Sequence, residues 1–206
     1  HSKDFATIRE HLDSWKDLSE NDIEFEKLAG LSNAVWKATA SKDVKPKTVI
    51  YRAFGKGGDL VDRDRENYIF DELSKLKLGP RCYGYTSDYR IEEFFKGDSA
   101  PDCLPRMPDI RRRLARRVAL LHSTKLPKMD QKPYFLKNLE EGIYAKEIEK
   151  KVSKTNYEEH EKKMINEIRE QLLSKEEINF IRSILPTDPE SITFSHNDLH
   201  GGNIIY

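Results

Sequence analysis

The residues His196, Asn197, Asp198, Leu199, His200, Gly201, Gly202 and Asn203 place an acid, an amide and two imidazoles within one short stretch. The spacing H-x-D-x-x-x-x-N suits a definite chemistry. An aspartate leaving the end of a strand can accept the proton of a hydroxyl group. An asparagine five residues later offers a neutral oxygen to a hard cation, which prefers oxygen ligands. Gly201 and Gly202 let the backbone between them pass close to its surroundings. His196 reads as a loop-stapling hydrogen-bond partner and His200 as a loop residue. Two other readings stay open on these residues alone. His196, Asp198 and His200 alternate like metal ligands on a strand, although no cysteine lies nearby. The stretch could also be a plain polar turn.

Two charged residues elsewhere sit where apolar side chains are expected. In TVIYRAF the alternation puts Arg52 on the face of Ile50 and Phe54. Glu66 lies three residues before Ile69 and seven before Leu73, on the apolar side of its helix. A buried lone charge is unfavourable, so each needs a partner, and the simplest arrangement pairs Arg52 with Glu66. A strand cation held by an acid on the following helix is how phosphate groups of a nucleotide are gripped in phosphoryl transfer. On spacing alone, a snorkelling Arg52 and a Glu66 belonging only to the charged helix start fit equally well.

These residues depend on elements that the periodicity predicts. Residues 4–18 form an amphipathic helix with Phe5, Ile8, Leu12 and Trp15 on one stripe. Three β-rich runs follow, IEFEKLAG, NAVWKATA and KTVIYRAFG, with turn signals between them, as in an antiparallel meander. A helix begins near Val61, carries Ile69, Leu73 and Leu76, and stops at Gly79-Pro80. RCYGYTS and YRIEEFF add two strands. Pro101, Pro105 and Pro108 mark a connection into a helix striped by Ile110, Leu114, Val118 and Leu121. Residues 133–185 read as two or three helices, and SITF as a short strand leading into the terminal motif. Between Glu140 and Glu177, 19 of 38 residues are charged, with alternating signs, which suits a solvated helical surface. The arginines 111, 112, 113, 116 and 117 likewise read as a solvated helix face.

Bulk properties exclude some classes. Lys plus Arg and Asp plus Glu are 36 each in 206 residues, a net charge of +0, which gives no support to a nucleic-acid partner or an anionic membrane surface. No run approaches the ~20 apolar residues that span a bilayer. Cys82 and Cys103 are the only cysteines and suit a reducing, cytoplasmic setting.

Taken in order, these segments resemble the choline/ethanolamine kinase family. AGLSNAVWKA looks like the family's nucleotide loop, with Ala29 where a second glycine is common. TVIYRAFG looks like its third strand, which carries Arg. RENYIFDELSKLKLGPRCYGY resembles its first-lobe helix and next strand, with Glu66 at the acid position. YRIEEFFKG looks like the hinge, MPDIRRRLARRVALLHS the helix beyond it, and FSHNDLHGGNII the catalytic loop. The resemblance implies an α+β, bilobal protein-kinase-like fold. An antiparallel N-lobe sheet with a helix would span 1–96, and a mostly helical, truncated C-lobe 97–206.

It also implies roles. Asp198 is the catalytic base, and Asn203 holds Mg2+. Arg52, steadied by Glu66, binds ATP phosphates, which Ser32 and Asn33 cover. Glu93 and Phe95 meet adenine through their backbones. The implied reaction is ATP-dependent phosphorylation of choline or ethanolamine, with a homodimer as the implied assembly. Alternatives are an aminoglycoside, homoserine or methylthioribose acceptor, or a nucleotide-binding pseudokinase. The second metal-binding Asp and the acceptor pocket of this family lie beyond the position of Tyr206, so this stretch by itself is expected to be inactive.

Overall fold

The structure is a computed structural model that describes residues 2–28, 33–55, 62–100, 107–129, 133–186 and 188–205. Five strands form one antiparallel sheet: β1 (Ile23–Leu28), β2 (Asn33–Ala40), β3 (Thr48–Phe54), β4 (Cys82–Tyr85) and β5 (Tyr89–Glu93). Their order is β1-β2-β3-β5-β4. β1, β2 and β3 are the expected meander.

Alternation gives the sheet two different faces. Val49 and Tyr51 of β3, Ala38 and Ala40 of β2, and Ile91 of β5 belong to the main core cluster. Helix α1 (Ser2–His11) and the turn after it supply the other half: Phe5, Ile8, Leu12 and Trp15, the predicted stripe. Ile8 and Trp15 are fully buried. The Trp15 indole N–H donates to the Pro46 carbonyl at 2.8 Å, so this polar group is satisfied inside the core.

The opposite face carries Ile50, Arg52 and Phe54 from β3 and Arg90 and Glu92 from β5. Helix α2 (Arg63–Lys75) packs there through Asn67 and Phe70. Its N-terminus is capped by Asp62, whose carboxylate accepts the Arg65 N–H. Gly79-Pro80 lies just past its end, as expected.

Helix α3 (Pro108–His122) begins at the predicted proline, and its five arginines are exposed. Beyond it come α4 (Tyr134–Glu140), α5 (Ile143–Lys154), α6 (Glu159–Leu172) and α7 (Lys175–Ile184). Four short helices thus replace the two or three expected. Gly142 in the left-handed region, the break at Thr155–Tyr157 and the Ser174 cap divide the charged stretch. SITF forms no strand. The Thr193 hydroxyl donates to the carbonyl of His122, and among the described residues the ladder contact near Asn203 is the isolated bridge Ser99↔Ile205.

Two compact units result. One comprises His1–Gly57, Asp62–Leu121 and His196–Tyr206; the other comprises Gly58–Val61 and His122–Ser195. The terminal motif therefore belongs to the unit that holds the sheet. No helix among the described residues is long and apolar enough to cross a membrane.

Candidate active site

The terminal motif folds as a closed loop around Asn203. A short 3-10 turn spans Gly201–Asn203, and the His200 ring Nδ1 accepts the Gly202 N–H at 3.1 Å. A Cβ on Gly202 would lie 2.8 Å from His200 Cε1, so a side chain there would have to displace the His200 ring. Asn197 takes a positive φ of 59°, a conformation asparagine tolerates well. His196 Nδ1 accepts the Asp198 N–H at 3.3 Å, the stapling contact expected of it. The loop is tied to the sheet unit by Ala100 N–H donating to the Ile204 carbonyl at 2.8 Å.

Within this loop Asp198 and Asn203 are joined. The Asn203 amide nitrogen donates to the Asp198 carbonyl at 2.8 Å and to its carboxylate Oδ2 at 3.0 Å. The Asn203 amide therefore meets Asp198 through its nitrogen. The Asp198 side chain is 75% exposed. His200 Nε2 lies 3.1 Å from the same amide nitrogen, so His200 contacts the pair although its sequence marks it only as a loop residue.

The charged cluster on the sheet corrects one expectation. Arg52 does not pair with Glu66. Its Nε donates to Glu92 Oε1 at 2.6 Å and its Nη2 to Glu92 Oε2 at 3.0 Å, a bidentate pair. The register explains the choice. Ile50 faces Glu92 and Arg52 faces Arg90 across β3 and β5, so Glu92 is the diagonal neighbour of Arg52 on the same sheet face. Glu66 instead accepts from Arg63, one helical turn before it, at 2.5 Å, and from Arg90 at 3.5 Å. Burial works to lower the Arg52 pKa. The hydrogen bonds and charge of Glu92, with the charge of Glu66, outweigh it and hold the guanidinium above its ordinary value.

Arg90 and Glu92 were missed by sequence reasoning, yet they form the buried centre of this cluster. Each is 4% exposed. Arg90 Nε donates to Glu92 Oε1 at 3.0 Å, and its Nη1 donates to Asn67 Oδ1 at 3.0 Å. Its guanidinium stacks 3.8 Å above the Phe70 ring. Asn67 is itself held by the Thr86 carbonyl, to which it donates at 2.8 Å. The available signal was the alternation in YRIEE, which puts two opposite charges on one face of a strand that is otherwise buried.

The remaining predicted residues are placed as follows. Asn33 opens β2, and its amide oxygen accepts the Gly55 N–H and an Arg63 N–H, each at 3.4 Å. Ser32 lies outside the described residues. Glu93 ends β5; its N–H donates to the Arg81 carbonyl at 2.8 Å and its carboxylate accepts the Arg81 N–H at 2.9 Å. That N–H is thus engaged within the sheet. Phe95 follows the strand and is exposed. Among the described residues no group of three or more His, Cys, Asp or Glu side chains is placed to hold a metal ion.

Comparison with known proteins places this architecture. The family model described as choline/ethanolamine kinase matches residues 26–206. The chain belongs to the choline/ethanolamine kinase family. A rat relative named choline/ethanolamine kinase is 25% identical over 182 residues, covering 85% of this chain and 44% of the relative. The chain spans about half the length of the curated relatives it matches. Among solved structures, a choline kinase from Cryptosporidium parvum Iowa II aligns with a TM-score of 0.68 at 23% identity, covering 98% of this chain and 60% of that one. An ethanolamine kinase from Plasmodium vivax aligns with a TM-score of 0.67 at 20% identity, covering 92% and 55%. The fold is the α+β protein-kinase-like fold of these enzymes, and the family is one of kinases.

Proposed function

We propose that the protein carrying this chain transfers the terminal phosphoryl group of ATP to the hydroxyl of choline or ethanolamine. The observation that carries this reading is the Asp198–Asn203 clasp. It sets an exposed carboxylate, suited to a hydroxyl acceptor, against the nitrogen of an amide whose oxygen is suited to a hard cation.

In this reading Asp198 orients the acceptor hydroxyl and takes its proton as the new P–O bond forms. Asn203 would hold Mg2+ through its amide oxygen, a donor chemically suited to that cation. Magnesium, when bound, neutralises phosphate charge during transfer. Arg52 presents its guanidinium to ATP phosphates, with Ser32 and Asn33 covering them. The Glu93 carbonyl and the Phe95 backbone receive adenine. The family match and the names of the relatives support the choice of acceptor.

The test is a substrate panel on the full-length protein with Mg2+ and ATP. Choline or ethanolamine is expected to give the highest kcat/KM. Transfer confined to aminoglycoside, homoserine or methylthioribose overturns the acceptor assignment. Nucleotide binding with no transfer to any alcohol points to a pseudokinase.

A further inference from the structure

We infer that Glu92, on strand β5, is the positioning residue for the phosphate-binding Arg52, in place of the helix acid Glu66. This rests on the nucleotide-binding role proposed for Arg52. The argument begins with geometry. Glu92 uses both carboxylate oxygens on Arg52, at 2.6 and 3.0 Å, and no hydrogen bond joins Glu66 to Arg52 among the described residues. A bidentate pair fixes the plane of the guanidinium as well as its position. A single contact from a helix would fix only one point.

Burial adds a second reason. The Glu92 side chain is 6% exposed, whereas the Glu66 side chain is 34% exposed. Water competes for Glu66 and little for Glu92. Glu92 is in turn braced by Arg90, which is held by Asn67, and Asn67 is anchored on the Thr86 carbonyl. The chain Thr86–Asn67–Arg90–Glu92–Arg52 runs from the loop between β4 and β5, through α2, back to the sheet. Arg52 keeps donors that Glu92 does not use: it has five N–H groups and two are committed. Those left over are what a phosphate would meet.

A consequence distinguishes this arrangement from a strand–helix clamp. The orientation of Arg52 is set inside the sheet, by two adjacent strands. Helix α2 reaches Arg52 through Arg90, which Glu66 and Asn67 contact, and not by a hydrogen bond of its own among the described residues.

The test measures ATP and adenosine affinity in the full-length protein for Glu92→Gln, Glu66→Gln and Arg52→Gln, and for Glu92→Gln combined with Arg52→Gln. Glu92→Gln is expected to weaken ATP binding at least about fivefold while adenosine binding, which involves no phosphate, changes less than about twofold. Glu66→Gln weakens ATP binding less than Glu92→Gln does. In the Arg52→Gln background the Glu92 substitution adds little, because it acts through Arg52. Equal losses for ATP and adenosine, or the same factor in both backgrounds, would make Glu92 merely structural and overturn the inference. A larger ATP loss from Glu66→Gln would overturn it too. If Glu92→Gln does not fold, Glu92→Asp is read on the same ATP-to-adenosine ratio, which must fall; an unchanged ratio overturns the inference. A wild-type protein that binds no ATP refutes the nucleotide-binding reading itself, a different outcome from any of these.

Discussion

Asp198 has an exposed carboxylate clasped on one side by the Asn203 amide, and the two groups have separable tasks. In the full-length protein Asp198→Ala removes the proton acceptor and leaves the phosphate-binding Arg52 untouched. Steady-state kinetics are expected to show at least about a hundredfold fall in kcat with little change in ATP affinity. Near-normal turnover would take Asp198 out of the base role. Cys82 illustrates the opposite chemistry. Burial first, then the nearby Asp71 charge, pushes its thiol up to about 11, so the thiolate is scarce at neutral pH. Its alkylation by iodoacetamide at pH 7.5 should be much slower in the folded protein than in the denatured one. Comparable rates would contradict the burial seen here.

At the scale of elements, two junctions invite direct tests. Asp22 closes the turn Glu20–Asp22 that leads into β1. The Ser19 backbone N–H, then Lys42 and the Ser19 hydroxyl, hold its carboxyl down at about 2. An unfolded Asp titrates near ~3.9. The folded form therefore binds its proton later, and the contribution of Asp22 to stability is fully present above about pH 4. It is lost as the pH falls from about 4 toward about 2. Asp22→Asn should destabilise the protein more at pH 6 than at pH 2.5 in urea melts; an equal loss at both would refute the linkage. The second junction joins α1 to β4. A Cβ on Gly84 would lie 2.1 Å from the Nδ1 of His11, the last residue of α1, whose other nitrogen is 3.0 Å from the Tyr89 hydroxyl. Gly84→Ala must displace that ring, at an expected ~1–3 kcal/mol. Removing the ring as well, in Gly84→Ala/His11→Ala, should recover part of the loss in the same melts.

For the molecule as a whole, stability of the sheet unit rests on the layer between α1 and the sheet. Trp15 has no exposure and fills the centre of that layer. Trp15→Ala should cost ~3–5 kcal/mol, a large fraction of the ~5–15 kcal/mol that holds a domain together. The chain's other tryptophan, Trp36, packs on the same cluster and remains as a fluorescence reporter. A denaturation midpoint unchanged by Trp15→Ala would mean that the turn after α1 does not carry this core. Charge works differently at this scale. The arginines of α3 and the acids and lysines of α5 to α7 lie mostly in solvent, and 36 positive against 36 negative residues leave no net field to draw a polyanion.

Periodicity along the chain determined most elements, because burial of one stripe or one face writes a local pattern. The stripe Phe5, Ile8, Leu12, Trp15 and the alternation in β3 are cases in which residues a few positions apart share one fate. The loop ending in Asn203 was equally legible, since the contacts that close it on itself span five residues or fewer. Local pattern did not reveal the four-way division of residues 133–185, where Gly142 is the only glycine and Pro133 the only proline to mark a break. It also suggested a strand at SITF, which has no strand to pair with among the described residues. Above all, it could not choose the acid for Arg52. Glu66 is 14 residues away in sequence and Glu92 is 40, and nothing in either segment ranks them. The register of β3 against β5 brings Glu92 to the diagonal position, and the burial of Glu92 makes that pairing the stronger one. Such a choice belongs to tertiary structure, because it depends on which strands become neighbours.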